Sequence, residues 1–367
     1  AAAAAAAATT TTTTTSTTTT ITAIAATATT VESKSRVIVK KVARERSMHD
    51  NSGVIDIYYE VSCLLRLKQG KCPGVCGILD FGITAKHYVL VLENGWMDLS
   101  MWRSSLPPST EVVAVTGTGA GHETGAHRFQ LLLLLMIDAV KVLAQVHENG
   151  VIHFDIKCNN FILRADPRDP CAIQTLVNAA TRPEPSGLLF LADFGESIPS
   201  ALVGRNAPQH QNGAGGKHAM VYRSRGTLCI QSPEMLTVNE GVQMDAERKK
   251  EREEYARSSP LQAFCVPDEA SDIWSIGLMF VELVLGSPLL MDRQWAELVV
   301  LLCSKSNSAN DLLSTLPLDP FWACIDDVVP VSVPEREELN EYLRAFLDAS
   351  LRITPATRAP LWELQGK

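Results

Sequence analysis

The stretch HFDIKCNN, residues 153–160, decides how this chain is interpreted, because it brings together a carboxylate, a cation and an amide as Asp155, Lys157 and Asn160. A second stretch, ADFGE, adds the carboxylate of Asp193. Transfer of a phosphoryl group needs an acceptor for the proton of the attacking hydroxyl, a cation at the γ-phosphate, and oxygens that hold Mg²⁺. These four side chains supply such groups, so the two stretches predict phosphoryl-transfer chemistry.

Further motifs lie on both sides of these stretches in a fixed order. Upstream, VIVK ends at Lys40, and a helical pattern contains Glu60. Downstream come GTLCIQSPE at 226–234, DIWSIG at 272–277 and finally Arg358. Together these motifs resemble the signatures of the eukaryotic protein kinase family, which are VAIK, HRDxKxxN, DFG and APE. The resemblance runs from about residue 31 to the C-terminus, and motifs in this order are far more specific than any one alone.

Composition and periodicity divide the chain into three parts. Residues 1–30 contain only Ala, Thr, Ser and Ile, a low-complexity tract that we expect to be mostly disordered. Residues 31–94 are rich in strand patterns, and a hairpin is predicted with arms at 27–31 and 36–40. Residues 95–367 are mostly helical. The kinase resemblance implies an α+β, two-lobed protein kinase fold, with a small antiparallel β-sheet lobe and a larger α-helical lobe.

Helical patterns occur in both larger parts. In the first, Ile57, Val61, Leu64 and Leu65 form an apolar stripe beside Glu60. In the second, strong helical periods lie at 129–146, 273–285, 295–302 and 339–347. Polar stretches indicate insertions on a fixed scaffold near 104–127, 164–186, 200–220 and 237–268. Within the last of them, the charged stretch 245–257 predicts a solvated helix.

The resemblance implies an ATP site in the first lobe. Lys40 would hold the α- and β-phosphates and would itself be positioned by an ion pair with Glu60. Leu92 and Glu93, at the end of a strand pattern, would also contribute to ATP binding. Taken alone, Lys40 would be interpreted as a surface lysine on a strand and Glu60 as a solvated glutamate on a helix. The accompanying motifs favour the functional interpretation of both.

The resemblance places catalysis and metal binding on the two central stretches. Asp155 would orient the hydroxyl nucleophile, and Lys157 would stabilise charge on the γ-phosphoryl group. Asp193 and Asn160 would bind Mg²⁺. The cofactors implied are therefore ATP and Mg²⁺, and the substrate is a protein with Ser or Thr hydroxyls.

Four further residues receive structural roles from the resemblance. The hydroxyl of Thr227 would bind Asp155, and Asp272 would hold the backbone of the catalytic loop. Glu234 and Arg358 would form a buried ion pair that stabilises the larger lobe.

Three features depart from or imitate the family pattern. Residues 1–36 contain no glycine, so the glycine-rich loop that caps phosphates is not visible. Phe154 stands where HRD has its arginine, a cation that commonly pairs with a phosphate on the activation loop. The activity is therefore expected to depend little on phosphorylation of that loop, unless Arg223 or Arg225 replaces the missing cation. Asp80-Phe81-Gly82 is a second DFG, but it lies in a strand pattern and is interpreted as structural.

Three functions stay open at this point. The first is an active serine/threonine protein kinase, and the second is a pseudokinase that serves as a binding or scaffold module. The third is a small-molecule phosphotransferase of related fold, which should lack SPE and DxWSxG. Mg-ATP-dependent phosphate release or autophosphorylation distinguishes the first two.

Composition excludes other classes of protein. The 367 residues carry 33 Lys and Arg against 41 Asp and Glu, a net charge of −8, which does not suit a nucleic-acid-binding surface. Nine cysteines, odd in number and without CxxC spacing, indicate reduced thiols in a cytoplasmic protein. The apolar run 129–137 is followed by Asp138 and Lys141, so no membrane span is predicted. The chain begins at Ala1 rather than Met, as a fragment would.

Overall fold

The computed structural model describes residues 9–11, 20–25, 36–44, 51–106, 125–203, 225–235, 267–290, 316–328 and 333–364. Within these ranges the chain forms small antiparallel sheets and a set of helices. The predicted combination of antiparallel strands and helices is confirmed. One contiguous cluster of buried side chains runs from Leu90 in a strand to Leu135 and Trp274 in helices, and the division into two lobes stays a prediction.

The largest sheet has five strands, β1 (Thr9–Thr11), β2 (Thr20–Ala25), β3 (Arg36–Ala43), β4 (Ile78–Ile83) and β5 (His87–Glu93). Their order is β1-β2-β3-β5-β4, and all neighbours are antiparallel. β-Branched residues dominate the centre of β3, and such side chains fit a pleated surface. β3 and β5 therefore lie at the middle of the sheet and hold Lys40 there.

Part of the Ala and Thr tract forms regular structure, because it contributes both β1 and β2, while residues 1–8, 12–19 and 26–30 lie outside the described residues. β2 pairs with β3 over its whole length, from Thr20 opposite Lys41 to Ala25 opposite Arg36. The predicted first hairpin arm, 27–31, lies outside the described residues. Low side-chain volume did not prevent pairing, since Thr and Ile favour the extended conformation and β3 offers a hydrogen-bonding edge.

Helix α1 (Asn51–Gln69) packs its buried side against the sheet and against the loop that follows residue 191. Cys63, Leu64 and Leu67 are buried there, while Leu65 is exposed. The predicted apolar stripe is therefore wrong at Leu65. The helix buries the side chains of Leu64 and Leu67 on either side of it instead. Glu60 lies on the buried side, as an exposed fraction of only 3% shows.

The helical part contains seven described helices: α2 (Leu99–Ser104), α3 (Gly125–Glu148), α4 (Pro170–Ala180), α5 (Glu269–Leu285), α6 (Asp319–Val328), α7 (Val333–Ser350) and α8 (Leu361–Leu364). The predicted periods at 129–146, 273–285 and 339–347 fall inside α3, α5 and α7. Those at 295–302 and 245–257 lie outside the described residues. The predicted insertion at 164–186 contains α4.

Helix α3 is long and apolar enough to cross a membrane by length and composition, since an 18-residue window within Arg128–Glu148 has a mean hydropathy of 1.9. In the structure 72% of that window is buried inside the protein, as is usual for a core helix. Its two interior charges have partners. Asp138 accepts hydrogen bonds from the Ser186 amide and hydroxyl, and Lys141 donates to the carbonyls at the end of α4.

Two pairs of short strands fix the loops that carry the motifs. β7 (Val151–Ile152) precedes HFDIKCNN and β8 (Phe161–Leu163) follows it. β9 (Leu189–Leu191) precedes ADFGE and β10 (Ile198–Pro199) follows it. β7 pairs with β10 and β8 pairs with β9, both antiparallel. β6 (Met97–Asp98) adds to the other side of β8. The two loops are therefore joined at both ends and lie side by side.

Candidate active site

Lys40 is the meeting point of three elements. Its Nζ lies 2.7 Å from Oε1 of Glu60 on α1 and 2.8 Å from Oδ1 of Asp193, in the loop after β9. Glu60 is buried, whereas the Asp193 side chain is 54% exposed. The structure therefore brings together three residues that are far apart in sequence, and it leaves the aspartate open to solvent.

The charges of this triad shift one another. The Lys40 ammonium lowers the pKa of Asp193 to about 2, so this carboxylate is ionised at neutral pH. Burial alone lowers the pKa of Lys40, but the charges of Asp193 and Glu60 outweigh burial and raise it. Burial raises the pKa of Glu60, and Lys40 opposes that effect. A cation held between two carboxylates is the result.

Asp155 is 6% exposed and accepts four hydrogen bonds. Its Oδ1 receives the amide of Thr227 at 2.9 Å and the hydroxyl of Thr227 at 2.7 Å. Its Oδ2 receives Nζ of Lys157 at 2.7 Å and Nδ2 of Asn160 at 3.0 Å. The Lys157 ammonium also donates to the Thr227 hydroxyl at 2.7 Å. The carboxylate is thereby fixed in one orientation.

Gly226 allows the downstream segment to lie directly on the loop that carries Asp155. Its φ is 82°, in the left-handed region, and a Cβ placed on it would lie 2.1 Å from the carbonyl oxygen of Phe154. No other residue type fits such an approach without backbone movement. This glycine therefore sets the position of Thr227.

Two non-glycine residues of the site have a left-handed backbone, Phe154 with φ 63° and Asp193 with φ 58°. The conformation costs about 1–2 kcal/mol per residue and needs support from the surroundings. Support comes from Asp272, whose carboxylate accepts the amides of His153 at 2.8 Å and Phe154 at 2.7 Å. Next to Asp193, the buried ring of Phe194 packs edge-on against His153 at 4.8 Å between centroids.

Two histidines complete this support, and sequence reasoning did not assign either of them. His153 is fully buried, and burial lowers its pKa, which keeps the ring neutral. Its Nδ1 accepts the amide of Asp155 at 3.2 Å, and its Nε2 lies 3.1 Å from the carbonyl of Ala192. His147 lies 2.8 Å from Oδ2 of Asp272. The contacts with Ala192 and Asp272 have no local signal, because these partners are distant in sequence.

Glu234 and Arg358 form a bidentate pair, with nitrogen to oxygen distances of 2.6 and 2.7 Å. Both side chains are buried. The hydroxyl of Ser271 also donates to Glu234 at 2.8 Å, and Arg358 donates to the carbonyl of Ala270 at 2.7 Å. These contacts tie the segment after Thr227 to the start of α5 and to the C-terminal region.

Leu92 and Glu93 lie at the end of β5, beside the site. Leu92 is buried. The Glu93 carboxylate binds Nε of Arg164 at 2.9 Å and the amide of Gly77 at 3.2 Å. Arg164, which sequence reasoning missed, thus links the five-stranded sheet to the end of β8.

The oxygens of Asn160 and Asp193 suit a hard divalent cation. Nδ2 of Asn160 donates to the carbonyl of Asp155 at 2.7 Å, which turns its Oδ1 to the opposite side of the amide. Asp193 keeps its carboxylate ionised and half exposed. Oxygen ligands of this kind, completed by phosphate oxygens, are what Mg²⁺ prefers. The part of the chain that the structure describes holds no cluster of three His, Cys, Asp or Glu side chains arranged for a metal.

Two curated proteins are similar to this chain, and both are named serine/threonine-protein kinases. No family model matches the chain. A Dictyostelium discoideum protein named "Probable serine/threonine-protein kinase" is 25% identical over 265 residues, which are 72% of this chain and 9% of that protein. The spindle assembly checkpoint serine/threonine-protein kinase of Saccharomyces cerevisiae is 32% identical over 74 residues, which are 20% of this chain and 7% of that protein. The chain thus spans less than a tenth of either relative, and both similarities support a relationship to the protein kinase family.

Proposed function

We propose that this chain is a protein kinase that uses ATP and Mg²⁺ to transfer the γ-phosphate to Ser or Thr hydroxyls of proteins. The observation that carries the proposal is the triad in which Lys40 binds both Glu60 and Asp193. A two-lobed arrangement with this triad between the lobes forms part of the proposal.

The nucleotide would be held by charges that are already in position. Lys40 would bind the α- and β-phosphates, with Glu60 restricting its orientation. Asp193 and Asn160 would hold Mg²⁺, which when bound neutralises charge on the phosphates. Leu92 and Glu93 would lie near the base, where the Glu93 carboxylate binds Arg164 and its amide donates to the carbonyl of Gly77. Positioning and charge neutralisation account for most of the catalysis of phosphoryl transfer.

Asp155 would orient the attacking hydroxyl and accept its proton. The bonds from Thr227, Lys157 and Asn160 fix its two oxygens, so little reorganisation is needed at the moment of transfer. Lys157 would stabilise negative charge on the transferred group. The joint binding of Asp155 and Lys157 to a threonine supports the serine/threonine class, as do the names of both relatives.

A pseudokinase that binds partners without turnover is the alternative. One observation favours it: residues 1–36 contain no glycine, and the segment between β1 and β2, residues 12–19, consists of Thr and Ser. A sequence of this composition offers hydroxyl groups but lacks the glycines that let backbone amides approach phosphates closely. The site around Asp155 would then serve as a scaffold.

One experiment distinguishes the two functions. Purified protein is incubated with Mg-ATP and dephosphorylated casein, and Asp155→Asn is assayed beside it. We expect phosphate incorporation that falls by about 10²–10⁴-fold in the variant, because its amide cannot accept the hydroxyl proton. Thermal unfolding checks that the variant is folded.

Binding of a fluorescent ATP analogue is measured in parallel. Binding without incorporation would favour the pseudokinase. Equal incorporation by both proteins would contradict the role of Asp155, and absence of both binding and incorporation would contradict the proposed function.

A further inference from the structure

Arg225 is a charged side chain without solvent exposure, immediately before Gly226. One guanidinium nitrogen lies 2.7 Å from Oδ1 of Asp56 on α1. A second guanidinium nitrogen donates to the carbonyl of Glu196 at 3.0 Å and lies 3.6 Å from the carboxylate of that residue. Burying an arginine is costly unless its charge and its N–H groups are satisfied. The fold supplies two carboxylates and a carbonyl for this purpose.

The partners of Arg225 match those of Lys40. Asp56 and Glu60 are four residues apart on α1, so they lie on the same face of the helix. Asp193 and Glu196 lie at the two ends of the turn that contains Phe194. Lys40 joins Glu60 to Asp193, and Arg225 joins Asp56 to Glu196. Helix α1 and the turn after β9 are thus connected by two parallel bridges, each a cation between two carboxylates.

We propose that Arg225 is a positioning residue that holds α1 against the turn of Asp193, and so keeps Glu60 on Lys40. The proposal rests on the proposed kinase function. A guanidinium is suited to the task, because its planar fork binds two acceptors in fixed directions, whereas an ammonium acts as a point charge. After loss of the second bridge, α1 keeps its bond to Lys40, its apolar packing, and the bonds from Arg66 to the carbonyl of Asn149 and from Lys68 to the carbonyl of Ile78, the last two of which lie away from Asp56.

Phe154 explains why this bridge needs no phosphate. Its ring is buried in a small apolar cluster, whose members are Tyr59, Ile152, Phe154, Ile198, Val203 and Met235. Tyr59 belongs to α1, and the sulfur of Met235 accepts the amide of Arg225 at 3.2 Å. In the family pattern, an arginine of the catalytic loop binds a phosphate on the activation segment, which here is the part of the chain between ADFGE and Ser232-Pro233-Glu234. Here the segment itself supplies the cation, and α1 and the turn supply the anions.

Four proteins test the inference: Asp56→Asn, Arg225→Lys, Arg225→Met and, as a control, Asp80→Asn on the exposed face of β4. Asp56→Asn keeps the shape of the side chain and removes its charge. We expect Asp56→Asn to lower kcat with Mg-ATP and dephosphorylated casein by about tenfold and to raise the KM for ATP. Arg225→Lys should retain more activity than Arg225→Met, and Asp80→Asn should match the parent protein.

Hydrogen exchange supplies a readout that does not need turnover. In Asp56→Asn, amides of 57–68 and 194–198 should exchange faster, while those of α5 should not change. A folded Asp56→Asn with unchanged exchange and unchanged kcat would overturn the inference. If the parent protein has no turnover, the proposed kinase function fails. The hydrogen-exchange measurement on Asp56→Asn still decides whether Arg225 positions α1.

Phosphatase treatment of the parent protein tests independence from phosphate. We expect the activity to change by less than about twofold, because the pairs of Arg225 use carboxylates of the chain. A loss of tenfold or more would show that a phosphate orders the segment, and would overturn this part of the inference.

Discussion

The tripeptide Asp-Phe-Gly occurs at 80–82 and again at 193–195, and the two copies have opposite surroundings. The first belongs to β4, the edge strand of the large sheet. Asp80 accepts the amide of its own neighbour Phe81 at 2.8 Å, and the Phe81 ring is 52% exposed. A Cβ placed on Gly82 would have nothing within 4 Å.

The second copy is enclosed by partners from distant parts of the chain. Asp193 has a left-handed backbone and binds Lys40. Phe194 is 1% exposed and packs on His153. A Cβ placed on Gly195 would lie 3.2 Å from Nζ of Lys40. The same three residues therefore form either a plain strand or a strained turn, and tertiary contacts decide which.

The largest expected difference between the copies is catalytic. Asp193→Asn should reduce phosphoryl transfer by about 10³-fold or more, because the charge that would hold Mg²⁺ is removed. Asp80→Asn should leave it within about twofold, since an exposed strand position away from such features is tolerant. Phosphate incorporation from Mg-ATP measures both. Comparable losses in the two variants would break the distinction drawn here.

The next difference is one of stability. Phe194→Ala should lower the free energy of unfolding by about 3–5 kcal/mol, as expected for a fully buried ring that leaves a cavity. Phe81→Ala should lower it by less than about 1 kcal/mol, because its ring is half exposed in the folded protein. Urea unfolding followed by circular dichroism gives both values. A cost for Phe81→Ala equal to that for Phe194→Ala would mean that the first copy is also packed.

The smallest difference concerns protonation. Lys40 holds the pKa of Asp193 at about 2, so the pair stabilises the fold above the unfolded value of about 3.9 and loses that contribution as the pH falls towards 2. In Lys40→Met the pKa of Asp193 should rise towards its ordinary range. Carbon NMR of labelled aspartate carboxyl groups measures it. A value that stays near 2 in the variant would show that another group lowers it.

Sequence patterns predict the elements that have a local period. β3, β5, α3 and α5 fall where alternation or helical spacing indicates, because each buries one or both faces in the core. The patterns fail for β1 and β2, where a tract of Ala and Thr has no period and its pairing with β3 decides the structure.

The candidate site shows the same limit. Motifs give Asp155, Lys157, Asn160 and Asp193, since these residues lie within short stretches of recognisable spacing. The sequence indicates Arg225 only as one of two cations that could replace the missing arginine, and its bond to Asp56 crosses 169 residues of sequence. Contacts of that range depend on the packing of α1 against the turn, which no local pattern encodes.

The pairing of β8 with β9 has a consequence for how this chain can vary. Leu163 lies opposite Leu189, so the segment between them leaves the sheet and returns to nearly the same point. Its ends stay closed whatever lies between, and lengthening a closed flexible loop costs only about 0.6 kcal/mol for each doubling. Helix α4 occupies this segment. Additional sequence can therefore accumulate there, as a lateral domain or a tether, while the distance between the two loops of the site stays the same.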